Sequence, residues 1–152
     1  RDFWIDEKGL KYKMSNIQAA IGLGQLRRVD TLIAMKRRIF SWYYDKLSSL
    51  RHIKFNKEID KSKSIYWMTS IRLLEDSPIS RDNLRAKLLQ DNIDTRPVFP
   101  SISQYPIWDK NNLKPEPNAF LIGNTSMNLP SGVCLRKEQI DYICDRIIYH
   151  LT

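Results

Sequence analysis

At 152 residues and 42% hydrophobic content, the chain has the size of one domain, or of a small domain with an arm, and enough apolar residues for a packed core. That composition excludes wholesale disorder, and no apolar run approaches the roughly 20 residues a membrane helix needs. A net charge of +8 admits an anionic partner without naming one.

The chain opens at Arg1 with aromatic and charged residues rather than a strand or helix start, which reads as a beginning within a larger polypeptide. Residues 1–14 carry no periodicity and are expected to form an arm or loop, with residues 15–152 as the domain proper. Ser15 is placed to cap a helix, because its hydroxyl can accept from an unpaired first-turn N–H. Behind it Ile17, Ala20, Ile21 and Gly24 recur at three- and four-residue steps, and the pattern runs on through Leu26, Val29, Ile33, Phe40, Tyr43, Leu47 and Leu50. This predicts one long helix over 15–49, bent near Gly22–Gly24. At 1.5 Å per residue it would be about 50 Å long, too long for the interior of such a domain. Part of it is therefore expected to pack on something outside the chain.

A short strand is predicted over 52–56, then a polar connection, then a longer strand over 65–74. In the longer strand Ile65, Trp67, Ile71 and Leu73 share one face at the period of two that a sheet requires. Ser80 can cap a helix whose buried stripe is Leu84, Leu88 and Leu89, ended by Asp91-Asn92. Residues 94–99 read as an edge strand interrupted by Pro97 and closed by Pro100. Residues 100–124 read as a long loop with a helical turn near 118–123, and 125–129 as a short strand. The last helix carries Ile140, Ile143, Cys144, Ile147, Ile148 and Leu151 on one side. The order predicts an α+β two-layer domain with a few-stranded antiparallel or mixed sheet, helices packed on it and a long N-terminal helix.

Chemistry-bearing residues are sparse. Cys134 and Cys144 have neither CxxC nor metal-ligand spacing, and a structural or incidental role is expected. His52 and His150 are far apart and show no partner in the sequence. Arg27, Arg28, Lys36, Arg37 and Arg38 lie on the predicted long helix. They read either as a solvated face or as the contact surface of a small basic nucleic-acid-binding module. No signal-peptide pattern appears, so a cytoplasmic protein without membrane association is expected.

Four ordered blocks carry a more specific signal. The first is Gly9-Leu10-Lys11-Tyr12-Lys13-Met14-Ser15-Asn16-Ile17-Gln18-Ala19-Ala20. The others are Tyr66-Trp67-Met68, Thr95-Arg96-Pro97-Val98-Phe99 and Asn128-Leu129-Pro130-Ser131-Gly132. Together they resemble the C-terminal half of the DegT/DnrJ/EryC1/StrS aminotransferases, and within that family the perosamine-type enzymes of lipopolysaccharide-sugar synthesis. The resemblance implies the small C-terminal domain of a fold-type-I, pyridoxal-phosphate-dependent transferase. Its cofactor-binding large domain and Schiff-base lysine would lie outside these residues, so no catalytic residue is assigned and the isolated chain is expected to be inactive and to retain no cofactor.

The parent enzyme would move an amino group, from a donor such as glutamate, onto a keto sugar linked to a nucleotide diphosphate, as a homodimer. By position in the family pattern, Lys11 would reach the cofactor phosphate of the neighbouring subunit, with Tyr12 and Lys13 beside it toward the substrate. Arg96 and Phe99 would lie near the sugar nucleotide. Taken as bare residues, Lys11 is equally a solvated loop lysine and Arg96 equally a strand-end ion pair. Two departures stand out: Lys11 replaces a commoner Asn, and Ser103 lies near a position where relatives often carry His.

Overall fold

The computed structural model describes residues 10, 12–106 and 116–152. The chain forms two units, Arg1–Thr31 and Leu32–Thr152.

In the first unit, α1 (Asn16–Leu26) begins where the capping signal lies. The Ser15 hydroxyl accepts from Gln18 N–H at 3.3 Å, and the Gln18 amide oxygen accepts from Ser15 N–H at 2.8 Å. This reciprocal pair satisfies two backbone donors that a helix start leaves open. No residue of α1 is buried: Ile17 is 75% and Ile21 63% exposed.

The predicted single helix over 15–49 is two helices, and the break is not at the glycines. Gly22 and Gly24 sit inside α1; the turn falls at Arg27-Arg28, before α2 (Val29–Leu47). A three-residue bond from Arg28 N–H to Gln25 O tightens the last turn and ends α1. Asp30 then stands in the first turn of α2, where a carboxylate favours a new helix start.

The larger unit is a sheet covered by helices. Strands β1 (Ile53–Phe55), β2 (Ser70–Leu73), β3 (Arg96–Pro97) and β4 (Ser126–Asn128) form one wholly antiparallel sheet in the order β1-β2-β4-β3. Ile71 pairs with Phe55 on one side and Met127 on the other, and Leu73 with Ile53. Against these pack α2 through Ile39, Tyr43 and Leu47, α3 (Arg81–Gln90) through Leu84 and Leu88, and α5 (Lys137–Leu151) through Ile140, Ile143, Cys144, Ile147 and Leu151. The four- and three-residue spacing of these side chains brings one stripe of each helix into the core. Ser80 caps α3 by accepting from Asn83 N–H.

Several expectations need correction. The strand predicted over 65–74 is extended only at Ser70–Leu73. Tyr66 has φ 47°, in the left-handed region, and its buried ring stacks on Phe40 with centroids 3.6 Å apart. That reversal ends the period-two pattern, so Tyr66 is buried while Ile65 and Trp67 are 52% and 59% exposed. Leu89, expected in the buried stripe of α3, is exposed because Leu84 and Leu88 already fill the inward face. The edge strand over 94–99 contracts to two residues. The turn expected near 118–123 is a nine-residue helix, α4 (Pro117–Thr125), which takes Thr125 from the predicted last strand.

Both histidines have partners that the sequence hides. His150 Nε2 lies 2.8 Å from Asp91 Oδ2, and His52 Nδ1 lies 3.4 Å from Asp76 Oδ2. Arg146 Nε donates to the same Asp91 oxygen at 2.8 Å, so the C-terminal half of α5 is tied to the end of α3.

Candidate functional site

Of the residues singled out from sequence, Lys11 lies outside the described residues. Tyr12 and Lys13 belong to the first unit and are exposed, Tyr12 by 87%. Arg96 and Phe99 belong to the larger unit; Phe99 is 71% exposed, and Arg96 lines a pocket.

That pocket, about 240 Å³, is walled by α2, the segment Trp67-Met68, β3, β4 and the turn that follows β4. Its charged lining residues are Lys36, Asp94 and Arg96, with Trp67, Asn128 and Ser131 beside them. The β3–β4 register sets Arg96 opposite Asn128. The Asn128 amide oxygen accepts from the Ser70 hydroxyl at 2.6 Å, which fixes the amide plane. Arg96 Nη2 donates to Asp94 Oδ2 at 2.9 Å, an exposed pair of the kind worth little in stability.

The floor is held from α2. Lys36 Nζ donates to the carbonyls of Trp67 (2.7 Å) and Ser131 (2.6 Å), two segments far apart in sequence. Two turns further along α2, the Tyr43 hydroxyl donates to the Pro130 carbonyl at 2.9 Å. Ser131 closes the mesh: its hydroxyl accepts from Thr69 N–H at 3.0 Å and donates to Leu129 O at 2.8 Å. Burial pushes the Lys36 ammonium below its ordinary pKa. Sequence reasoning placed Lys36 on a basic helix face and Trp67 in a strand core. The signal for either lies in long-range contacts that periodicity does not carry.

Neighbouring basic residues of α2 are also engaged. Arg37 makes a two-pronged pair with Glu58, at 2.6 and 3.1 Å, and Arg38 stands over the Trp42 ring. A larger groove of about 500 Å³, next to the site and sharing Asp94 and Pro130 with it, has no cation in its lining among the described residues. Among the described residues no cluster of His, Cys, Asp and Glu could hold a metal ion. No helix among them is long and apolar enough to cross a membrane.

The described residues do not by themselves make a seat for the pyridoxal phosphate that the resemblance implies. The lysine at this pocket, Lys36, spends its ammonium on two carbonyl oxygens and braces the wall, which does not fit a lysine free to condense with an aldehyde.

Comparison with known proteins agrees with the motif order. The model of the DegT/DnrJ/EryC1/StrS aminotransferase family matches residues 1–148. GDP-perosamine synthase of Escherichia coli O157:H7 is 39% identical over 147 residues, covering 97% of this chain and 39% of that protein. The Vibrio cholerae GDP-perosamine synthase is 34% identical, covering 95% of this chain and 40% of its own length. The chain thus spans about two fifths of the curated relatives it matches. Among solved structures, Helicobacter pylori PseC, an aminotransferase involved in the biosynthesis of pseudoaminic acid, superposes with a TM-score of 0.86 at 19% identity. The match covers 99% of this chain and 42% of PseC. S. venezuelae DesV, in complex with a ketimine intermediate, superposes with a TM-score of 0.81 at 20% identity, over 97% of this chain and 39% of DesV. A four-block motif order, an antiparallel α+β body and a match over nearly the whole chain converge: the protein belongs to the DegT/DnrJ/EryC1/StrS aminotransferase family.

Proposed function

We propose that these residues form the small domain of a pyridoxal-phosphate-dependent nucleotide-sugar aminotransferase. The enzyme transfers an amino group, from glutamate, to a keto sugar carried on a nucleotide diphosphate. The observation that carries this reading is 39% identity to a GDP-perosamine synthase across 97% of the chain. On that basis GDP is the favoured nucleotide and a surface glycan such as lipopolysaccharide the destination.

Pyridoxal phosphate, when bound by the complete enzyme, supplies the electron sink for amino transfer. The part of this chain is to complete the pocket. Lys11 would meet the cofactor phosphate of the second subunit in a homodimer, with Tyr12 and Lys13 beside it. Arg96 and Phe99 would face the sugar nucleotide, where a planar guanidinium suits phosphate or carboxylate. Both cysteines are free, in keeping with a reducing cytoplasm. The nucleic-acid reading has less support, since Arg37 is paired with Glu58 and Arg38 lies over the Trp42 ring within the larger unit.

Two measurements test the proposal. The complete enzyme, given glutamate and a GDP-linked keto sugar, should yield an amino sugar and 2-oxoglutarate; no amino sugar from any nucleotide-linked keto sugar would refute the reaction. The 152 residues alone should form no dialysis-stable aldimine with pyridoxal phosphate. A visible aldimine band mapping to one of their lysines would refute the domain assignment.

A further inference from the structure

The Lys36 side chain has more capacity than the bracing uses. An ammonium carries three N–H donors. Two go to the Trp67 and Ser131 carbonyls, and neither acceptor is charged. Among the described residues no carboxylate lies within ion-pair distance of Lys36, unlike Arg37, which has Glu58, and Lys46, which has Asp145. The titratable groups lining the same pocket are Asp94 and Arg96, and those two pair with each other. One positive charge is therefore left unmatched at the pocket, with a donor to spare, on a side chain drawn partly out of water. A cation in that position attracts an anion more strongly than a solvated surface lysine does, because local screening is weaker.

We propose that this pocket is a phosphoryl-anion site with Lys36 as its principal charge and Arg96 as its second donor. The half-exposed Trp67 indole stands at its wall as a flat neighbour for the group attached to the phosphate. A compact ammonium held by two carbonyls is pre-set as a point charge, and the exposed Arg96 fork can leave Asp94 for a phosphate at small cost. The identity of the anion rests on the aminotransferase reading, which makes it the diphosphate of the sugar nucleotide; the existence of the site does not.

The test uses the 152-residue protein, isotope-labelled for NMR and titrated at low salt with pyrophosphate, GDP and glutamate in separate arms. Pyrophosphate and GDP should shift the Trp67, Ser131 and Gly132 amides and the Trp67 indole N–H, saturably and in competition. Lys36→Met should weaken pyrophosphate binding at least tenfold and Arg96→Met less, while Lys36→Arg should retain it within about threefold. If Lys36→Met disturbs the fold, the Lys36→Arg arm and the salt dependence decide, because affinity must fall as ionic strength rises. Equal affinity in folded Lys36→Met, shifts that map to other basic residues, or saturation by glutamate but not by GDP would each overturn the assignment. The aminotransferase reading fails on a different readout, the absence of amino-sugar product from the complete enzyme.

Discussion

Gly123 is the position where a single methyl group should be most legible. It lies in α4 facing the chain at 99–101. A Cβ there would come 3.0 Å from Pro100 Cα, 3.1 Å from Phe99 O and 3.3 Å from Ser101 N. All three are backbone atoms, so no side chain can swing aside. Two effects of Gly123→Ala oppose each other. Helix propensity favours alanine by about 1 kcal/mol. Overpacking against a fixed backbone costs about 1–3 kcal/mol. The clash should win, giving a net loss of about 1 kcal/mol and a fall in Tm of about 4 °C at this chain size. Differential scanning calorimetry supplies the number, and backbone NMR should place the largest shifts at residues 98–101, next to β3. Gly22→Ala offers the contrast, since no described residue lies within 4 Å of a Cβ at Gly22. There only the propensity gain operates, and circular dichroism should show helicity held or raised. A Tm that rises by about 4 °C in Gly123→Ala would show that the contact with 99–101 is not real, and the reasoning would fail.

Three further outcomes are expected. Tyr43→Phe removes the hydroxyl that holds the Pro130 carbonyl and should cost about 1 kcal/mol by denaturant unfolding; an unchanged midpoint would mean water replaces the bond freely. Hydrogen bonds from Arg146, then from His150, hold the Asp91 carboxyl below its usual range. Its contribution to stability is therefore complete above the unfolded value of about 3.9 and is lost as pH falls through the lower folded one. Asp91→Asn should flatten the acid limb of a Tm-against-pH curve, and superimposable limbs would count against the tie between α3 and α5. Burial pushes the Cys144 thiol up to about 12, whereas Cys134 is exposed. A maleimide at pH 8 should label Cys134 in the native protein and Cys144 only after denaturation; early labelling of Cys144 would show that α5 opens readily.

The helices were the readable part of this sequence. The caps at Ser15 and Ser80 rest on hydroxyls three residues from the N–H groups they serve, so local chemistry reveals them. The stripe on α5 repeats often enough to show which side is buried. The strands were harder, because each is only two to four residues long and its pairing comes from elsewhere in the chain. Tyr66 shows why alternation misled: one left-handed residue exchanges the faces, and no neighbour in sequence announces it. The same holds at the pocket. Arg96 could be named from a local block, whereas Lys36 gains its meaning from Trp67 and Ser131, 31 and 95 positions away.

The outer strand β3 bears on how the protein can associate. Val98 N–H turns inward to Ser126 O, so alternation would direct the amide of residue 97 to the outside, and proline has no hydrogen there. That border of the sheet therefore lacks an outward donor at residue 97, which makes it a poorer template for a further strand.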